Sequence, residues 1–234
     1  VSSNTDAQLL ALCAADTIGE VPSARWRVEQ LGGANGTVAS RAQRHGGFVH
    51  CAQLLDNGCF SISAAEAVAM DPQQRLVLER GYDALHAARH ERSTLEGSLT
   101  GIFLGIAAQE FGQLLAGSPA GATVYSATGT THSIACGRLS YVLGLHGPSI
   151  AYDTACSAAL VASHAAVRLL QGEECVAGLA AGVNVMLSPV VGFSFAVAGM
   201  TSPRGRSHTF DIRADGYVRG DACGGVVLAC ARDE

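Results

Sequence analysis

Charge is scarce in this sequence. Only 15% of its 234 residues are Asp, Glu, Lys or Arg, against about 25% in an ordinary globular chain, and the basic residues form no run. With a net charge of −5 there is no electrostatic footprint for nucleic acid or an acidic membrane surface. The eight cysteines contain no C-x-x-C and lie mostly in apolar segments, which argues against a disulfide framework and for reduced thiols. None is placed with histidine at zinc-finger spacing, so no metal is expected. The longest apolar run, Cys175 to Leu187, is interrupted by Gly178, Gly182 and Asn184 and is too short to span a bilayer. Val1-Ser-Ser-Asn-Thr5 has neither the basic nor the apolar region of a signal peptide, so a cytoplasmic location is expected. The missing initiator Met points to a piece of a longer protein.

What is present is small and apolar. Twenty-eight glycines and a 48% hydrophobic fraction suit layers packed closely on one another. Thr5-Asp-Ala-Gln8 has the form of a capping box opening a short helix. Val21 to Trp26 reads as an extended turn, and Leu31 to Gly47 as a Gly-rich polar loop. Ser63 and Glu66 have capping-box spacing, and Asp71-Pro72 restarts a helix that runs to about Ala88. Thr100 to Ile106 is a short continuous apolar run, the mark of a strand buried on both faces. Helices over Gln109–Leu115 and Ile134–Leu143 follow, then strand candidates at Cys175–Leu187 and Gly224–Cys230. Strands alternating with helices predict an α/β layered fold with a largely parallel or mixed sheet.

The stretch from Ser149 to Leu160 organises the rest. Ile150, Tyr152 and Thr154 alternate as in a strand, and from Cys156 to Leu170 the residue types become those of a helix, with Gly172 at its end. Ser163, His164 and Arg168 are the only polar breaks between Ala158 and Leu170, so the helix is expected to be buried rather than half-exposed. A thiol at its first turn would face unpaired backbone N–H groups and the positive end of the helix dipole, the setting of a nucleophilic cysteine. Cys156 could equally fill space, as buried free cysteines do. A cysteine hydrolase would share the strand–nucleophile–helix turn, but Thr154 and Ala158 stand where its flanking glycines belong. Asp153 precedes the nucleophile on a strand and is expected to be structural.

Asp153-Thr-Ala-Cys156-Ser, preceded by Gly147-Pro-Ser149, resembles the nucleophile motif of β-ketoacyl synthases, above all the ketosynthase domains of modular type I polyketide synthases. Further matches stand in order along the chain: Ile18-Gly-Glu-Val-Pro-x-x-Arg-Trp26, Glu66-Ala-x-Ala-Met-Asp-Pro-Gln-Gln-Arg-Leu76, Thr100-Gly-Ile-Phe-x-Gly105, Thr128-Gly-Thr130 and Gly137-Arg-Leu-Ser-Tyr-Val-Leu-Gly-Leu145. Beyond the cysteine come Ala180-Ala-Gly-Val-Asn-x-Met-Leu-Ser-Pro189, Phe210-Asp211 and Ala214-Asp-Gly-Tyr-Val-Arg-Gly220.

The resemblance implies that residues 1–234 form the N-terminal half of a thiolase-like fold, a five-layered αβαβα sandwich. It implies decarboxylative Claisen condensation in polyketide or fatty acid biosynthesis, with Cys156 as the acyl-accepting nucleophile. No cofactor is bound by the chain itself. The substrates ride on phosphopantetheine of an acyl carrier protein, which is the implied partner, and the enzyme is a homodimer. Thr128, Gly129 and Thr130 resemble the dimer-contact region lining the acyl pocket, and Phe193 is a pocket candidate. The backbone N–H of Cys156 would be one oxyanion donor. The family's two catalytic histidines stand in H-G-T-G-T and K-x-x-x-G-H contexts, and none of the eight histidines here does. The chain alone is therefore expected not to condense. A truncated ketosynthase kept for dimerisation or scaffolding is the alternative. Two departures stand out. Gly220-Asp221-Ala222 replaces the usual Gly-Glu-Gly and is expected to shift the loop near the pocket mouth, and Ala158-Ala159 replaces serines as a packing variant.

Overall fold

The structure, a computed structural model, describes residues 9–10, 12–27 and 37–230. In chain order its elements are β1 (Gly19–Glu20), α1 (Val38–Arg41), β2 (His45–Gly46), α2 (Ala64–Ala69), α3 (Pro72–Ala87), α4 (Arg92–Leu95), β3 (Thr100–Gly105), α5 (Glu110–Ala116), α6 (Ser126–Thr130) and α7 (His132–Leu143). Then follow β4 (Ser149–Tyr152), a 3-10 turn (Ala155–Ser157), α8 (Ala158–Gln171), β5 (Ala177–Asn184), α9 (Pro189–Val197) and β6 (Ala222–Ala229). The capping box at Thr5 to Gln8 lies outside the described residues, although Leu9, Leu10 and Leu12 are helical. The chain divides into two compact units, Cys51–Val185 with the segment from Ala222 onward, and the segment to His50 with Met186–Asp221.

The first of these units holds a four-stranded mixed sheet in the order β4-β3-β5-β6. β4, β3 and β5 run parallel, and β6 is antiparallel to β5. α3 and α7 pack on one face and α8 on the other. Side-chain alternation along the strands explains the division. Phe103 and Ala180 point to the α8 side, where they meet Ala162, Ala166 and Leu170. Leu179 points to the other side, next to Gly81 of α3 and Leu139 of α7. Phe103, Leu104, Leu139 and Leu179 have no exposed surface, and each contributes roughly 1.5–3 kcal/mol through burial. The helix starts follow the local signals. Ser63 accepts a bond from Glu66 N–H (3.2 Å), Asp71 accepts one from Gln73 N–H (2.8 Å), and Pro72 takes the first helical position.

The expectation of an all-round buried α8 is overturned. Ala158, Ala162, Ala166 and Leu170, each four residues apart, form its buried stripe. Leu160 remains 73% exposed and Val167 40%. Only one side of the helix faces the sheet, and its apolar composition says nothing of which side that is. The helix also begins at Ala158 rather than Cys156.

Among its described residues the second unit has a two-stranded sheet, and polar ties join its segments further. β1 and β2 pair antiparallel, Gly19 opposite Gly46, and isolated bridges join Gly47 to Gly220 and Thr201 to Tyr217. The region from Leu31 to Gly47, expected as loop, therefore contains α1 and β2 where it is described, because β2 completes a ribbon with β1. Asp221 links four segments. Its carboxylate accepts from Arg25 (2.9 Å), Val49 N–H (3.2 Å) and Met186 N–H (2.7 Å), while Arg25 also donates to the Met186 carbonyl (2.7 Å). The residue that departs from the family's Glu is thus an anchor of this unit.

Candidate active site

Cys156 sits between the end of β4 and the start of α8, on the 3-10 turn Ala155–Ser157, and it is exposed. The turn is strained. Ala155 has φ of 51°, a left-handed conformation that costs a side-chain-bearing residue on the order of 1–2 kcal/mol. Asp153 offsets this strain, its carboxylate accepting a hydrogen bond from Ala155 N–H at 3.1 Å. Asp153 lies just past the end of β4 rather than on the strand, and its bond to Ala155 gives it the structural role expected of it. Ser157 tightens the turn further, its hydroxyl donating to Thr154 O (2.9 Å) and its N–H to the same carbonyl (3.2 Å). The result is a sharp strand-to-helix corner that turns the thiol outward. Among the described residues no acceptor takes the Cys156 N–H, which leaves that donor available at the corner.

The corner rests on a floor without side chains. On the α8 side of β3 and β5 stand Gly105 and Gly182. A Cβ on Gly105 would lie 2.4 Å from Ala159 N, and one on Gly182 would lie 2.7 Å from Ala159 Cβ. These two glycines let the first turn of α8 lie against the strands, and Ala159 is the partner they accommodate. Reading the motif alone does not reveal this fit, because the glycines precede and follow the cysteine by dozens of residues.

Thr128, Gly129 and Thr130 lie together in α6, in the same unit. Among the described residues no hydrogen bond joins them to Cys156. The Thr128 and Thr130 hydroxyls donate to Tyr125 O (3.1 Å) and Ser126 O (3.2 Å), carbonyls of their own segment. Gly129 is required by close approach, since a Cβ there would lie 1.9 Å from Ala69 O. Its carbonyl accepts from Asp71 N–H at 2.8 Å. Phe193 lies on α9 in the other unit, 44% exposed.

A buried polar relay fixes the α6 segment. Gln74 donates to Thr128 O (3.0 Å) and Thr131 O (3.3 Å), and its own carbonyl accepts from Arg138 Nε (3.1 Å). Arg138 in turn pairs with Glu66. Gln73 donates to Ala108 O (2.9 Å) and accepts from Val185 N–H (3.3 Å), joining α3 to the end of β5. Both glutamines are almost fully buried. The sequence carries a signal for them, two adjacent amides inside an apolar helix, but it names no partner. Burial raises Asp71 above the ordinary carboxylate range, against the hydrogen bonds from Gln73. Burial also pushes the Cys223 thiol on β6 up to about 12.

All eight cysteines are free. Cys13, Cys51, Cys59, Cys156 and Cys230 are exposed, so the expectation of structural thiols holds only for the buried Cys136 and Cys175 and the partly buried Cys223. Among the described residues no three His, Cys, Asp or Glu side chains converge as a metal site, and no helix is long and apolar enough to cross a membrane.

Comparison with known proteins places this geometry. The family model described as "Beta-ketoacyl synthase, N-terminal domain" matches residues 4–234. One component of the phenolphthiocerol/phthiocerol polyketide synthase of Mycobacterium tuberculosis is 42% identical over 214 residues, which is 91% of this chain and 14% of that protein. Among solved structures, the ketosynthase from module 6 of the bacillaene synthase of Bacillus subtilis superposes with a TM-score of 0.85 at 32% identity, covering 97% of this chain and 37% of that one. An oxazolomycin ketosynthase domain of Streptomyces albus gives 0.82 at 30% identity, over 96% of this chain and 40% of its own. The chain has the thiolase-like fold of these domains and spans well under half their length.

Proposed function

The chain belongs to the β-ketoacyl synthase family as its N-terminal domain, and from that premise we propose that it is the acyl-accepting half of a polyketide synthase ketosynthase. The observation that carries this reading is Cys156 itself, exposed on a strained corner with its own N–H unpaired among the described residues.

The acyl substrate arrives as a thioester on the phosphopantetheine of an acyl carrier protein. The Cys156 sulfur attacks the thioester carbonyl carbon, forming a C–S bond and placing negative charge on the carbonyl oxygen. The Cys156 N–H donates to that oxygen, and a fixed donor of this kind is worth about 3–4 kcal/mol in the transition state. Collapse breaks the bond to the pantetheine sulfur, which leaves as the thiol by taking up the proton that the Cys156 thiol gave up on attack. The acyl group remains on Cys156, the usual division of one difficult step into two. Condensation then requires a malonyl-type extender to lose CO2 and its carbanion to attack the acyl carbon, forming the new C–C bond and expelling the Cys156 sulfur as thiolate. The family's two histidines for that step stand in contexts that none of the eight histidines here shares, so the 234 residues alone are assigned the acylation and not the condensation.

β4 forms one edge of the four-stranded sheet, and an edge strand offers unpaired backbone groups to a second chain. This supports a homodimer joined through the nucleophile strands. Thr128, Gly129, Thr130 and Phe193 are assigned to the acyl pocket or the dimer contact, and the protein to the cytoplasm.

Incubation with an acyl-pantetheine thioester, followed by intact mass and peptide mapping, tests the central claim. One acyl group on Cys156, absent in Cys156→Ala, is expected. Acylation that persists in Cys156→Ala, or that maps to Cys51 or Cys59 instead, would refute it.

A further inference from the structure

At the corner that carries Cys156, the backbone N–H groups on either side of the cysteine all have acceptors. Ala155 N–H donates to the Asp153 carboxylate (3.1 Å), Ser157 N–H to Thr154 O (3.2 Å) and Ala158 N–H to Ala155 O. Cys156 N–H has none among the described residues. Its direction is nevertheless fixed. A trans peptide unit is planar, so its C=O and N–H point opposite ways. The unit shared by Ala155 and Cys156 has its C=O drawn toward α8 by Ala158 N–H, which turns Cys156 N–H back, away from the helix. The unit before it is held at both ends. Ser157 N–H and the Ser157 hydroxyl (2.9 Å) hold Thr154 O, and Asp153 holds Ala155 N–H. Ala155, between the two units, has φ of 51°, a conformation that alanine keeps only where its surroundings impose it. Among the described residues the bond to Ala155 N–H is the one hydrogen bond of the Asp153 carboxylate.

We propose that Asp153 is a positioning residue for acyl transfer, which aims Cys156 N–H at the developing oxyanion by holding Ala155 in the left-handed region. Given Cys156 as the acyl acceptor, the reading on which this role rests, the bond does more than brace the turn. Without it Ala155 relaxes toward negative φ, and the next peptide unit rotates and carries Cys156 N–H with it. One hydrogen bond of this kind shifts such an equilibrium about two- to tenfold. A donor turned away from the carbonyl oxygen then contributes nothing in that fraction of the molecules. Asp153 acts here as a hydrogen-bond acceptor and not through its charge, so an uncharged acceptor at the same place serves as well.

The test treats the full chain with an acyl-pantetheine thioester and, in parallel, with iodoacetamide, each followed as mass mapped to Cys156. Alkylation displaces iodide at a saturated carbon and develops no carbonyl oxyanion, so it reads the thiol without the N–H donor. Asp153→Ala should slow acylation about two- to tenfold and leave alkylation no slower than in the parent. Asp153→Asn, which keeps an acceptor oxygen without the charge, should recover most of the loss. Ala155→Gly added to Asp153→Ala should also restore acylation, because glycine takes positive φ without support. Acylation of Asp153→Ala at the parent rate, an Asp153→Asn as slow as Asp153→Ala, no recovery with Ala155→Gly, or alkylation that falls in step with acylation would each overturn this role. A parent chain that takes no acyl group at Cys156 sinks the reading of the cysteine and this role with it. A parent that acylates beside an equally fast Asp153→Ala sinks the role of Asp153 alone.

Discussion

Gly182 on β5 faces Ala159 on α8 so closely that a Cβ on the glycine would stand 2.7 Å from the Cβ of the alanine. Neither is a flexible side chain that can swing away, so Gly182→Ala must move the first turn of α8 off the sheet. Overpacking of this kind costs about 1–3 kcal/mol. Because Cys156 immediately precedes that turn, the displacement reaches the nucleophile, and a misplacement of about 1 Å can cost roughly 100-fold in rate. Gly182→Ala is expected to lose acylation of Cys156 well beyond its loss of stability. Gly224→Ala on β6, where an added Cβ meets nothing within 4 Å, is the control and should acylate as the parent does. Equal acylation rates for the two variants would show that the glycine floor does not position the cysteine.

The relay from Glu66 through Arg138 and Gln74 to α6 predicts strong coupling. Gln74→Leu would strand the carbonyls of Thr128 and Thr131 and the Nε–H of Arg138, and a loss of about 2–4 kcal/mol is expected from unpaired buried groups. Arg138→Met would strand Gln74 and Glu66 to a similar extent. The double variant should lose clearly less than the sum, since each single change already breaks the shared bond. Urea denaturation of the four proteins measures the difference, and additivity within about 0.5 kcal/mol would count against the relay.

These two sites also mark how far the sequence can be read. Asp71-Pro72 and Ser63 announce their helices because a cap is a local interaction between residues two or three apart. The run from Thr100 to Ile106 announces a buried strand, since both faces are covered. Cys156 is legible as a strand-to-helix junction. By contrast, Gln74 and Arg138 lie 64 residues apart, and their pairing follows only from the packing of α3 on α7. The buried stripe of α8 is hidden because its exposed face carries Leu160 and Val167, as apolar as the residues facing the sheet. The antiparallel direction of β6 follows from pairing with β5, which composition does not encode. β2 is invisible for the same reason, being two residues long and defined wholly by its partner.

Thiol reactivity should separate the cysteines by environment. Burial holds Cys223 at about 12, so at pH 9 only about 0.1% of it is thiolate. Maleimide labelling at pH 9 with peptide mapping should find Cys156, Cys51 and Cys59 modified while Cys223 stays intact until denaturant is added. Labelling of Cys223 as fast as Cys51 in the native protein would contradict its placement.

The pH dependence of Asp71 follows from its burial. Its folded-state pKa is raised, with desolvation outweighing the bonds from Gln73, so between the unfolded value of about 4 and the folded value the native state binds the extra proton. Stability then falls as pH rises through that window. The contribution is fully present below about pH 4 and is lost once the folded carboxyl ionises. Asp71→Asn keeps an oxygen to accept the Gln73 N–H bond but cannot titrate. The variant should therefore gain on the parent as pH rises from about 4 to 7, seen as a rising difference in Tm by calorimetry. A difference that moves the opposite way would mean that the carboxylate, not the acid, is the form the fold prefers, and that the Gln73 bonds outweigh burial at this helix start.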